Sequence, residues 1–236
     1  MAIKRVDLGE AGSLLLVKKR GMRNLRLSIT PKGEVRVSLP AWAPYQTGIK
    51  FARDRADWIN EQLQKRQASP LTEGAHIGKS KRLYFKMSAS GSLTSRLKPN
   101  EIIVSSPWPV NDPRTQLKAR QACERALKAE AEQLLPQRLA YLAAKHGYSY
   151  KNVRIRKLSS RWGSCSSHGV ITLSFFLMQL PWDLVDYVLI HELLHTKHMH
   201  HGPAFWADFE AILPGAKKVR KQVNSHRPAI EAQTLA

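Results

Sequence analysis

The sequence predicts an α+β fold, with a β-rich, basic N-terminal region over residues 1–106 and, over 107–236, a helical region carrying a small sheet. Three observations lead there. Short segments of alternating apolar and polar residues recur before residue 106. A proline-dense connector, SSPWPVNDP, then breaks the texture. Beyond it the chain becomes rich in Ala, Leu, Lys and Glu, a helix-forming composition.

Within residues 14–39, LLLVKKR, LRLSI and EVRVSLP read as strands, and Thr30-Pro31-Lys32-Gly33 makes a turn between the last two. Pro40 ends the third. Ile49, Trp58, Ile59 and Leu63 recur near helical spacing, which predicts a helix from Tyr45 to Lys65. Residues 66–100 read as a second small β region, with KRLYFKM as one strand and EIIVS following Pro99-Asn100 as another. No internal repeat is evident. Residues 114–146 form a helix closed by Gly147, with Pro136 as a point of kinking or splitting. Next come the strand YKNVRIRKLSS, the loop RWGSCSSHG and the strand VITLSFF. A long helix opens after Leu180-Pro181, where proline and Asp183 suit a helix N-terminus.

Composition narrows the function classes. In 236 residues, 43% are hydrophobic and 24% charged, as in a folded globular chain, which argues against wholesale disorder. No apolar run approaches the roughly 18–20 residues of a membrane span. The run Leu14 to Val17 is too short for a secretory signal, so a cytoplasmic location is expected. Cys123 and Cys165 are too few for a disulfide framework. The net charge is +20, and residues 1–100 supply most of it, with 20 Lys+Arg against 7 Asp+Glu. Such a surface attracts polyanions, so nucleic acid is a candidate partner, although solubility alone accounts for the charge equally well.

The chemistry is concentrated in His191-Glu192-Leu193-Leu194-His195. Residues i and i+4 share one helix face, so two imidazoles can converge on one metal ion. Glu192 is rotated by about 100° from His191, beside the ion rather than on it, where it can take a proton from metal-bound water. Leu184, Val185, Val188 and Leu189 precede the motif at helical spacing and place it on a packed helix. Zinc catalysis needs three protein ligands and one open position. His201, just before Gly202-Pro203, is the leading third ligand; His198, His200 and Glu210 are the alternatives. Cys165 as a fourth ligand would close the site and make the metal structural. His76 and His146 read as surface residues and Cys123 as a core thiol.

Arg161-Trp162-Gly163-Ser164-Cys165, the strand Val170 to Ser174, Asp186-Tyr187-Val188 leading into the His-Glu motif, and His201 followed by Phe205-Trp206 occur in an order that resembles the YgjP-like metallopeptidase-domain family. This is a zincin group related to SprT-like proteases. The resemblance is strongest over residues 150–215. It implies a zincin-like catalytic region, Zn2+ held by His191, His195 and His201, and Glu192 as general base. It also implies that the strand at 170–174 lines the cleft as the substrate-pairing strand. His200-His201-Gly202 departs from the Asn-His-Ser usual in the family and is closer to the SprT-like form.

Arg161 and Thr172 are the candidate substrate-binding residues. In the 161–165 turn, Trp162 reads as an anchor and Gly163 as a site of positive φ. Phe205, Trp206 and Phe209 fit a short helix packing on the motif helix, which would hold His201 in place, and the basic stretch 217–221 reads as a solvated tail, with contact to an anionic substrate as the alternative. The expected function is a zinc-dependent hydrolase, foremost a metallopeptidase acting on peptide or protein. The alternatives are a nucleotide phosphoanhydride hydrolase on the same scaffold, a DNA-associated SprT-like protease, and a non-catalytic metal-binding module.

Overall fold

A computed structural model describes residues 3–7, 13–30, 34–59 and 70–230. The fold is α+β, with a β-rich N-terminal part and helices around small sheets in the remainder. The chain divides into two compact units, 1–68 and 69–236. Among the described residues, no helix is long and apolar enough to cross a membrane.

The first unit contains β1 (Ile3–Asp7), β2 (Ser13–Lys19), β3 (Arg26–Ile29), β4 (Val35–Pro40) and α1 (Tyr45–Arg53). The strands lie in the order β1-β2-β4-β3, with β2 and β4 parallel and both outer pairs antiparallel. Alternation decides which side chains point inward. Leu14 and Leu16 on β2, with Val35, Val37 and Leu39 on β4, form one buried face against Ala52 and Ile59. The helix expected over 45–65 is interrupted at Asp54 and Arg55 and resumes over 56–59; the rest of that expectation lies outside the described residues.

The second unit opens with β5 (His76–Ile77), β6 (Lys81–Met87), β7 (Thr94–Leu97) and β8 (Glu101–Ser106), in the order β5-β6-β8-β7. Then comes α2 (Pro113–His146). Its first turn is capped by Asp112, whose carboxylate accepts from the Arg114 backbone N–H at 2.9 Å, and Pro113 occupies the position where a missing N–H costs nothing. The helix runs through Pro136 without splitting. Ala119, Ala122, Cys123, Ala126 and Leu127 before it, and Leu139, Leu142 and Ala143 after it, are all buried. Packing along that stripe outweighs the lost backbone hydrogen bond. Glu130 ties the helix to the β5–β6 turn, accepting from the Lys79 N–H (2.8 Å) and the Ser80 hydroxyl (2.9 Å).

The boundary expected at 106/107 therefore lies elsewhere. Leu83, Ile102 and Val104 share one core with α2, so β5–β8 belong with the helical part. The physical reason is the apolar stripe of α2, which needs the sheet to cover it.

The structure also shows a repeat that the residues do not advertise. Sheets β1–β4 and β5–β8 have the same strand order and the same directions. The register corresponds as well. Val35 pairs with Leu14 and Ile29, and Ile102 pairs with Leu83 and Leu97 in the same places. Val37 and Val104 follow two residues later, and a helix comes after each sheet. EVRVSLP and EIIVSSP share Glu, Val, Ser and Pro at matching places, a stretch of seven residues too short to reveal the repeat by itself.

The C-terminal part follows. β9 (Asn152–Arg156), β10 (Gly163–Cys165) and β11 (Val170–Ser174) form a sheet in the order β10-β11-β9. A buried 3-10 turn, Phe175–Gln179, leads to α3 (Trp182–Leu194), α4 (Pro203–Ile212) and α5 (Ala216–Ser225). The stretch read as a loop, 161–169, thus contains a strand. Gly163, Ser164 and Cys165 have little intrinsic strand preference, and pairing with Leu173, Thr172 and Ile171 sets their conformation.

Candidate metal centre

α3 is apolar on nearly all sides and buried, with Val185, Leu189, Leu193 and Leu194 essentially inaccessible. That burial fixes the direction of His191, Glu192 and His195. His191 and His195 sit one turn apart, and their Nε2 atoms are 3.2 Å from each other. After the helix ends at Leu194, the chain turns through residues 195–202 and brings His201 back, with its Nε2 3.0 Å from that of His191. The three imidazoles form one cluster whose ligand atoms all lie within 4.8 Å.

A single side chain supports all three rings. Phe205, fully buried on α4, has its ring centroid 5.2 Å from His191, 5.0 Å from His195 and 4.8 Å from His201. Pro203 starts α4 and Gly202 precedes it, so the turn holding His201 is set by the helix that carries Phe205.

The protonation pattern suits a metal. His195 Nδ1 lies 2.9 Å from the His198 carbonyl oxygen, and donation there leaves Nε2 with its lone pair. Burial, together with the neighbouring histidines and Arg220, pushes His191 down to about 3, and burial also lowers His201. His191 is therefore neutral at neutral pH. It has one proton for two ring nitrogens, and its buried Nδ1 has no hydrogen-bond partner. Whichever tautomer it takes, one lone pair in the cluster stays unmet, whereas a cation accepts from all three Nε2 atoms. For bonds of 2.0–2.1 Å, tetrahedral geometry places nitrogen ligands about 3.4 Å apart, close to the separations found here. The donor set fits a divalent zinc ion with one open position.

Glu192 lies beside the cluster, 5% exposed, with Oε2 lacking any hydrogen-bond partner. Burial pushes its carboxyl up to about 8, opposed by the Arg161 charge. β10 crosses directly against it. A Cβ built on Gly163 would come within 2.6 Å of Glu192 Oε1. Gly163 is not among the positive-φ glycines, so the expected conformational reason for a glycine here is replaced by close approach.

The other candidates fall into place around this centre. His198 Nε2 is 2.7 Å from Asp208, and Glu210 accepts from the Gly215 and Lys217 N–H groups, so neither joins the cluster. His200 stays outside it, and the Cys165 thiol donates to the Ser166 carbonyl instead of closing the site. Arg161 is exposed, with its charge reaching Glu192. Thr172 is half-buried on β11, opposite Ser164. β11 is bonded on both sides, by β10 and β9, so the expectation of a substrate-pairing strand at 170–174 does not hold; the edge strand beside Glu192 is β10. Sequence reasoning placed Phe205 on a helix packing against the motif helix but not its contact with all three rings, and it missed Gly163 as the neighbour of Glu192. Neither contact has a local sequence signal, because each is made by tertiary packing.

A helix-borne histidine pair, a third histidine from the following turn and an adjoining carboxylate are the donor set of metal-dependent hydrolases. The chain belongs to the YgjP-like metallopeptidase-domain family, whose match spans residues 23–226. Among solved structures it is similar to the metallopeptidase zymogen abylysin of Pyrococcus abyssi, at 31% identity over 39% of this chain and 93% of that one, with a TM-score of 0.36. No curated protein matches it.

Proposed function

We propose that this chain is a zinc-dependent metallopeptidase with His191, His195 and His201 as ligands and Glu192 as general base. The observation that carries the reading is the convergence of three Nε2 atoms beside a buried carboxylate with an unpartnered oxygen. The bound ion would supply Lewis acidity, lowering the pKa of a water molecule and polarising the carbonyl. Its charge would also draw the Glu192 pKa back down. Glu192 accepts the proton of the attacking water at its free oxygen and returns it to the departing amine. The open edge of β10 offers backbone groups to an extended peptide, which would lie across Gly163 next to Glu192. Arg161, whose charge reaches Glu192, would contact that peptide. The family match favours peptide substrates, and nothing among the described residues favours the nucleotide or nucleic-acid readings that net charge raised.

The test is Glu192→Gln. The variant should keep about one zinc per chain, as the three-histidine site requires. It should lose peptidase turnover by about 10²–10⁴-fold. Full activity in Glu192→Gln, or wild-type protein that takes up no zinc, overturns the proposal.

A further inference from the structure

α5 carries the basic stretch 217–221, which its sequence allows to be a solvated tail or a contact for an anionic substrate. Ala216 and Val223 are buried in the core and fix the helix, and Arg220 emerges on an exposed side. Its guanidinium lies 5.3 Å from the Trp206 ring. The Trp206 ring stacks on Phe209 at 6.0 Å and 14°, and it stands 6.3 Å from the His201 imidazole. One indole therefore separates a fixed cation from a metal ligand, and the Arg220 charge reaches His191, His201 and Tyr187.

Arg220 also has no carboxylate partner among the described residues, unlike Arg138, which is paired with Asp186, or Arg114, paired with Asp112. Glu210, whose charge also reaches Tyr187, is held by backbone N–H groups at the α4–α5 turn, at 2.7 Å from Gly215 and 3.3 Å from Lys217. The cation is thus held in place beside the centre by an aromatic face and left unneutralised.

We propose that Arg220, presented on the Trp206 ring, binds a carboxylate of the substrate and makes this centre selective for peptides that carry one near the bond to be cut. The carboxylate is either an acidic side chain or the peptide's own C-terminus. The inference rests on the peptidase reading above and names its substrate class. Guanidinium matches carboxylate geometry with paired hydrogen bonds, so the site is suited to that group over a neutral amide.

The test uses the full zinc-loaded chain carrying Glu192→Gln, which binds without turnover, and labelled peptides followed by fluorescence anisotropy. Peptide pairs differ only in Glu for Gln, scanned along the sequence, each with a free or an amidated C-terminus. A carboxylate at one position should tighten binding about tenfold, as a charge-assisted pair does. Preference that survives amidation assigns the side chain, and preference lost on amidation assigns the terminus. Adding Arg220→Gln should bring each pair to within about twofold, Arg220→Lys should retain part of the preference, and Arg220→Glu should turn it toward Lys-bearing peptides. Unchanged zinc content and melting temperature in these variants separate recognition from folding. No carboxylate preference, or one that survives Arg220→Gln, overturns the assignment. If the chain binds with preference but wild-type zinc protein cleaves none of those peptides, the peptidase reading falls while Arg220 stands as a binding residue. Cleavage without preference overturns Arg220 alone.

Discussion

His191 has the most constrained surroundings of the three proposed ligands. Two imidazoles face its Nε2, Phe205 and Phe209 pack on its ring, and its buried Nδ1 has nothing to bond. With its pKa pushed from 6.5 down to about 3, the unfolded chain holds a proton between those values that the folded chain refuses. The His191 contribution to the stability of the metal-free protein therefore rises with pH across that window and is lost as pH falls through it, while Glu192, pushed up to about 8, contributes with the opposite sign. On acidification from pH 7 to 4, the metal-free wild type should lose melting temperature relative to metal-free His191→Gln, in which only the opposing Glu192 contribution is left. Zinc protein should resist the same acidification until protons displace the ion. The motif residues were legible in sequence because i, i+4 spacing is a local property of one helix. The third ligand was harder, since four candidates crowd residues 198–210 and only folding shows that Asp208 and the α4–α5 turn engage two of them.

At the scale of elements, the contact between β10 and α3 sets where the carboxylate points. Gly163→Ala puts a methyl group where Glu192 Oε1 now lies, with the Glu192 side-chain carbons only 2.8–2.9 Å away. Glu192 must swing aside or the strand must withdraw. We expect peptidase kcat to fall about 10–100-fold, since small misplacements of a catalytic group cost that much. Zinc content should be retained, because the atoms nearest the new methyl all belong to Glu192. Steady-state kinetics with metal analysis checks it, and wild-type kcat in the variant would refute the contact's role. Strand β10 escaped the sequence reading for the same reason that it matters: its three residues are small, and its conformation is imposed by β11. The long helix α2, by contrast, was written plainly in composition and in its closing glycine, and only its passage through Pro136 needed the structure.

At the scale of the whole molecule, the α+β class was legible in sequence, whereas the compact units divide at 68/69 and not at the expected 106/107. A proline-rich connector looks like a boundary, yet the buried stripe of α2 draws the preceding sheet into its own core. A fragment starting at Ser69 is expected to fold and take up zinc. One starting at residue 107, stripped of β5–β8, should expose that stripe and aggregate. Circular dichroism, gel filtration and zinc content of the two fragments decide between the seams, and a well-folded 107–236 fragment would refute the one at 68/69.

The twin sheets carry a consequence for how the polypeptide reaches its native state. In a chain diluted from denaturant, β2 meets two acceptor strands of matching register, β4 and β8, and a hybrid sheet is a ready trap. Ribosomal synthesis removes the ambiguity, because the first sheet can close before its look-alike has emerged. Recovery of the full polypeptide from denaturant should accordingly fall below that of the Ser69 fragment, which has no second partner to choose.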